Sequence, residues 1–134
     1  MRLLELGVVP IINENDSVGT EEIRLGDNDR LAALVLELVG AQLLVLVSDI
    51  DALYDAPPSQ AGSNRIAKVS NFAELNDIQI GGSGSSGVGS GGMVTKIQAA
   101  EIATASGASM LLTDLAHLAD ALSGKDVGTF FTSK

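Results

Sequence analysis

The residues best suited to chemistry in this sequence lie in a few polar clusters. The longest, from Gly81 to Gly92, is almost wholly glycine and serine and leads straight into Met93-Val94-Thr95-Lys96. Glycines let backbone N–H groups come close to an anion, and a helix that starts after them turns its positive end toward the same place. Lys96, in the first turn of such a helix, would reach a phosphoryl group in transfer and offset the negative charge developing on it. A flexible linker has the same composition, but the abrupt helix start with Thr95 and Lys96 favours phosphate binding. Two common nucleotide signatures are set aside. Gly82-x-Gly84-x-x-Gly87 fits the dinucleotide pattern only formally, because no strand leads directly into it, and no Walker A sequence occurs.

Four further clusters accompany this one. Gly26-Asp27-Asn28-Asp29 puts two carboxylates and an amide at a helix start, where they serve either as caps or, if they meet Asn13-Glu14-Asn15-Asp16, as partners for an amino group and a lysine. Ser48-Asp49-Ile50-Asp51 follows an apolar run; its carboxylates could ligate magnesium through water, or simply form a turn with a helix cap. Thr113-Asp114 closes another apolar run. Tyr54, the single tyrosine, suits a base contact or a packing role, and His117 reads as a surface or partly buried residue rather than a ligand.

These clusters need elements to position them. Val8-Val9-Pro10-Ile11-Ile12, Leu43 to Val47 and Met110-Leu111-Leu112 are short apolar runs bounded by turn residues, the pattern of strands buried on both faces of a parallel sheet. Helices are expected over Arg30 to Val39, closed by Gly40, over Met93 to Ser106, closed by Gly107, and over Leu115 to Leu122, closed by Gly124. Arg2 to Leu6 resembles the last turns of a helix with Gly7 after it, which reads either as a short first helix or as the tail of a longer one. Glu21 to Leu25 and Arg65 to Val69 look like weaker strands, and Pro57 to Asn64 like a polar surface loop. The alternation implies an α/β fold, a three-layer α/β/α sandwich with a mainly parallel sheet. In such sheets ligands sit beyond the carboxyl ends of the strands, so Asn13–Asp16, Ser48–Asp51 and Thr113–Asp114 should share one rim.

Composition narrows the function classes. Of 134 residues, 46% are hydrophobic and 3% aromatic, with no tryptophan, so an ordered core of Leu, Val, Ile and Ala is expected. A net charge of −9 argues against nucleic-acid and anionic-membrane partners. It also requires N–H groups, a few lysines and a divalent cation to offset the field around any bound phosphate. The absence of cysteine excludes disulfides, thiol catalysis and zinc–thiolate sites. The apolar stretches are strand-sized and the first residues do not form a signal peptide, so a cytoplasmic protein is the default.

Ile11-Ile12-Asn13-Glu14-Asn15-Asp16, Gly26-Asp27-Asn28-Asp29, Ser48-Asp49-Ile50-Asp51-Ala52-Leu53-Tyr54 and Gly89-Ser90-Gly91-Gly92-Met93-Val94-Thr95-Lys96 occur in one order at one spacing. In series they closely resemble the glutamate 5-kinase type of amino-acid kinase, over nearly the whole chain, and Gly128-Thr129-Phe130 looks like the close of that kinase domain. The resemblance implies ATP-dependent phosphorylation of the L-glutamate side-chain carboxylate, with magnesium, as the first step of proline biosynthesis in a homo-oligomeric enzyme. By carry-over, Asp16 and Asn28 hold glutamate, with Asn13, Asn15 and Asp27 beside them. Asp29 orients catalytic lysines, Ser48 and Asp49 contact the nucleotide, and Ser90, Gly91, Gly92, Met93, Val94, Thr95 and Lys96 form the second nucleotide contact, with Lys96 acting in the transition state.

The departures from the pattern set a further expectation. Family members carry an amino-terminal half with a lysine, a glycine-containing phosphate loop and a serine that helps hold glutamate, and many carry a carboxyl-terminal domain resembling RNA-modification modules. Residues 1–134 match neither. Ala52 stands where glycine is usual, and Asp55-Ala56-Pro57-Pro58 differs from the usual loop. The expectation is therefore the carboxyl-terminal part of a kinase domain, with an incomplete sheet whose open edge invites self-association and with catalysis severely impaired alone. The other readings are a non-catalytic nucleotide-binding module, a split enzyme, or another member of the superfamily.

Overall fold

A computed structural model describes residues 2–13, 27–56, 59, 61–76 and 92–134. In chain order the elements are α1 (Arg2–Glu5), α2 (Asp27–Val39), β1 (Leu43–Ser48), β2 (Leu53–Tyr54), β3 (Arg65–Ile66), β4 (Lys68–Val69), a 3-10 turn (Phe72–Leu75), α3 (Gly92–Ala105), β5 (Ser109–Asp114), α4 (Leu118–Leu122) and β6 (Thr129–Phe131). The main sheet has the order β1-β5-β6-β4. β1 and β5 pair in parallel from Leu43↔Ser109 to Ser48↔Asp114. β6 runs antiparallel to β5, and β4 lies parallel to β6. The result is a mainly parallel sheet with flanking helices, the α/β architecture expected.

The apolar runs form strands because their alternate side chains find a common core. The register puts Leu44 and Leu46 on the same face as Met110, Leu112 and Phe131. These side chains join Ala33 and Leu36 of α2 and Ala99, Ala100 and Ala103 of α3 in one hydrophobic cluster. Three fully buried alanines give α3 a narrow inner side, which lets a helix approach its neighbours closely. Phe72 stacks on Phe131 with ring centroids 6.0 Å apart. The β2–β3 hairpin is tied to the sheet through Thr129, whose hydroxyl accepts the Leu53 N–H and donates to the Ile66 carbonyl. Gly128, just before it, has φ 74, and a Cβ there would collide with the Leu112 carbonyl oxygen, so the approach of β6 to β5 needs glycine.

Several boundaries differ from the sequence expectation. α2 starts at Asp27, so Asp27, Asn28 and Asp29 occupy its first turn instead of capping it. Val8–Ile12 is not a strand; Val9 and Ile11 are 83% and 95% exposed. An apolar run becomes a strand only against a partner edge, and no described strand pairs with this one. Arg65 to Val69 divides into β3, in the hairpin, and β4, in the main sheet. α4 starts only at Leu118, because the Asp114 carboxylate takes the His117 N–H and holds residues 115–117 in a turn. Arg2–Glu5 is helical, and Gly7 closes it at φ 75. The strand expected over Glu21 to Leu25 lies outside the described residues. Among the described residues no helix is long and apolar enough to cross a membrane.

Candidate functional site

α2 leads through a short turn into β1, and α3 into β5. Each helix therefore runs back along the strand that follows it, which brings the amino ends of α2 and α3 to the carboxyl ends of β1 and β5. That rim collects the described parts of the polar clusters.

At the helix end of the rim, Lys96 of α3 and Asp29 of α2 form an ion pair, Nζ to Oδ2 3.0 Å, with 12% and 19% of their side chains exposed. The Thr95 hydroxyl lies 3.0 Å from the same Asp29 oxygen. Lys96 was expected in the first turn of a helix; α3 begins at Gly92, which makes Lys96 its fifth residue, just past the first turn. Asp29 was expected to orient a lysine, and it holds this one. Charge-assisted bonds of this kind are shorter and stronger than neutral ones, and they fix the ammonium group at the amino end of α3, where the backbone N–H groups also point.

Also at the start of α2, a cavity of about 400 Å³ is lined by Asn13 and Asn28 together with Pro10, Ile12, Leu31 and Val35. Two carboxamides facing one space, over an apolar floor from α2, can offer donors and acceptors to a small polar molecule. Asp27 opens α2 one residue earlier. Asp16, Asn15, Ser90 and Gly91 lie outside the described residues. Gly92, Met93 and Val94 form the start of α3.

At the strand end of the rim, Ser48 closes β1, and its hydroxyl lies 3.0 Å from the Asp49 carboxylate while accepting the Ile50 N–H. This is the local turn that the sequence left open as one reading. The Tyr54 hydroxyl donates to the Asp51 carboxylate. Burial first, then the Asp51 bond, raises the Tyr54 pKa above its ordinary value. Asp114, across from Ser48, accepts both the backbone N–H of His117, at 2.9 Å, and its ring Nδ1, at 2.6 Å. The bond to His117 lowers the Asp114 pKa, and the same bond raises that of His117. The Asp51–Tyr54, Asp114–His117 and Thr95–Asp29 contacts were not foreseen. The first two are visible in principle as acid and partner at i, i+3, whereas the third joins residues too distant in sequence to signal each other.

The 134 residues match known proteins along most of their length. The family model for the amino acid kinase family matches residues 1–114. The glutamate 5-kinase of Streptomyces avermitilis is 56% identical over 130 residues, 97% of this chain but 35% of the relative. That of Bifidobacterium longum is 59% identical over 131 residues, 97% of this chain and 34% of the relative, and that of Leifsonia xyli subsp. xyli is 55% identical, with 97% and 48% covered. The chain thus spans about a third to a half of the length of these curated relatives. Among solved structures, carbamate kinase from Giardia lamblia bound to AMP-PNP superimposes with a TM-score of 0.61 at 22% identity, over 81% of this chain and 36% of that one. A T. acidophilum isopentenyl phosphate kinase product complex gives 0.63 at 16% identity, over 97% and 50%. These two establish a shared fold, and with the family match over residues 1–114 they show that the chain belongs to the amino acid kinase family.

Proposed function

We propose that residues 1–134 are the carboxyl-terminal part of a kinase domain that transfers the γ-phosphoryl group of ATP to the side-chain carboxylate of L-glutamate. The observation that carries this reading is the Asp29–Lys96 pair near the amino ends of α2 and α3; the cavity lined by Asn13 and Asn28 opens on the first turns of the same α2. The names of the relatives at 55–59% identity support the choice of glutamate.

In this reading Asn28 and Asn13, with Asp16, Asn15 and Asp27, hold the amino acid, while Ser48, Asp49 and the stretch from Ser90 to Lys96 hold the nucleotide. A glutamate carboxylate oxygen attacks the γ-phosphorus as the bond from that phosphorus to the ADP oxygen breaks, giving glutamyl 5-phosphate and ADP. Phosphoryl transfer asks little covalent chemistry of a protein and much positioning and charge neutralisation. Lys96, held by Asp29, supplies a fixed positive charge at the phosphoryl group, and the N–H groups opening α3 supply donors to its oxygens. Among the described residues, no three acidic or histidine side chains converge where an ion could sit. Magnesium brought with the nucleotide would neutralise phosphate charge when bound, with Asp49 and Asp51 after β1 as the carboxylates that could hold it through water. The same reading implies a homo-oligomeric cytoplasmic enzyme of proline biosynthesis that needs the rest of its kinase domain for turnover.

The test is a chimera in which residues 1–134 replace the matching stretch of the Streptomyces avermitilis relative. ATP-dependent formation of glutamyl hydroxamate in the presence of hydroxylamine is the expected result. A chimera that melts cooperatively and binds ATP but forms no hydroxamate would overturn the assignment of glutamate.

A further inference from the structure

We propose that His117 belongs to the nucleotide site: anchored by Asp114, its ring carries a positive charge that draws a nucleotide polyphosphate to the carboxyl ends of β1 and β5, so nucleotide affinity falls as pH rises. The proposal rests on the reading of this rim as the nucleotide site and adds a residue and a proton dependence to it.

The geometry comes first. Asp114 ends β5 and is the register partner of Ser48, so His117 hangs from the strand next to the proposed nucleotide contact. Asp114 Oδ1 holds both the backbone N–H and ring Nδ1 of His117, which fixes the ring. Nε2, on the other side of the imidazole, has no hydrogen-bond partner among the described residues, and the side chain is 44% exposed.

The surroundings explain why a charge here matters. The groups whose charges reach His117 are Asp114 on β5, Asp51 in the turn after β1, and Asp120 on α4, all carboxylates. Tyr54 on β2 is bonded to Asp51 and also feels Asp114. The nearby cations are engaged elsewhere, Arg65 of β3 with Asp126 and Lys125 with Asp120. A polyphosphate approaching Ser48 and Asp49 thus meets a surface dominated by carboxylates, and protonated His117 relieves the repulsion.

The chain has one histidine and no cysteine, so His117 is its one side chain whose ordinary pKa lies near neutrality. The Asp114 bond, then the Asp114 charge, moves its titration upward, with Asp51 and Asp120 adding to this against the opposing effect of desolvation. Linkage fixes the sign: if the protonated form binds nucleotide better, bound nucleotide must raise the His117 pKa by the same factor.

The experiment follows the ring-proton NMR signal of this single histidine through a pH titration, with and without saturating magnesium-ADP, and measures the ADP dissociation constant against pH in the native chain and in His117→Gln. The nucleotide's own titration is common to both proteins and cancels in their ratio. The expected result is a higher His117 midpoint with ADP, and binding about threefold to tenfold tighter in the native chain at about pH 6 that converges with the variant at about pH 9, the size of one partly screened charge. A midpoint unmoved by ADP, or a native-to-variant ratio that stays flat with pH, would overturn the role of His117 while leaving the nucleotide site standing. Absence of ADP binding at every pH both in this chain and in the chimera that restores the rest of the kinase domain, each melting cooperatively, would overturn the nucleotide site and this proposal together.

Discussion

The two ends of the rim are built on different plans. Where α2 and α3 begin, Asp29 and Lys96 meet across a long separation in sequence and are largely shielded from water. Where β1 and β5 end, the contacts are local: Ser48 with Asp49, Asp51 with Tyr54, Asp114 with His117. The first arrangement exists only once both helices have packed on the sheet, so it reports the assembled fold and holds a charge in one place. The second is written into turns of a few residues and survives small movements of the elements around it. Fixed charge suits chemistry, where misplacement is costly; local, partly exposed contacts suit the adjustment of binding. The reading of the rim predicts that substitutions in the Asp29–Lys96 pair act on turnover and those at the strand end on nucleotide affinity and pH response.

The largest effect is expected at Lys96. In the active chimera, Lys96→Ala should lower kcat by about 10²- to 10³-fold, the usual cost of removing one charge-stabilising donor from a transition state. It also leaves the Asp29 carboxylate without its ammonium partner in a mostly buried position, so some loss of stability accompanies it. Thermal unfolding of the same protein separates the two effects. A kcat that stays within a few-fold of the native value in a folded variant would break the contrast between the two ends. A second, smaller effect sharpens it. Asn28→Ala should raise the KM for glutamate by about tenfold, through loss of a hydrogen bond to a polar group in the cavity, and leave the KM for ATP unchanged. An ATP-specific defect would move Asn28 from the acceptor site to the nucleotide site.

The same contrast decides what could be read before the structure was known. β1 and β5 were legible as strands because Leu43 to Val47 and Met110 to Leu112 are apolar runs of strand length bounded by turn residues. The burial expected on both faces holds only for β5, since β1 lies at an edge of the described sheet with Leu43 and Val47 exposed. α2 and α3 were legible because Gly40 and Gly107 close them, both at positive φ. That these elements share a rim followed from topology alone. Val8 to Ile12 shows the limit: its β-rich composition says that it would suit a sheet, but strand formation depends on a neighbour, which composition does not supply. The beginning of α2 was misread for a related reason, since Asp27-Asn28-Asp29 is as good a first turn as a cap, and the Asp29–Lys96 contact that decides its use lies outside any local window. Lys96 was singled out by the glycine-rich stretch before it, and Asp29, Asn13 and Asn28 by their polar clusters and the resemblance to a known family; the structure pairs Asp29 with Lys96 and puts Asn13 and Asn28 on one cavity. For Asp16, Asn15, Ser90 and Gly91 the assignment stands on that resemblance.

The smallest expected effect lies at the strand end and tests whether the Asp114–His117 contact is a proton-dependent structural element. The pKa of Asp114 is lowered in the folded state, chiefly by its bond to His117, so the stability it contributes is present above the unfolded carboxylate value and lost as pH falls through the folded value. The pKa of His117 is raised by the same bond, so its contribution is complete below the unfolded histidine value, about 6.5, and is lost as pH rises through the higher folded value. Both conditions hold together between the carboxylate range and about pH 6.5. The difference in Tm between the native chain and His117→Gln should therefore be greatest in that window and shrink on either side. Other acids titrate in both proteins and drop out of the difference. A difference that does not vary with pH would mean that the contact stabilises the turn after β5 as a neutral hydrogen bond, and would remove the strand end's claim to be the pH-responsive part of the rim.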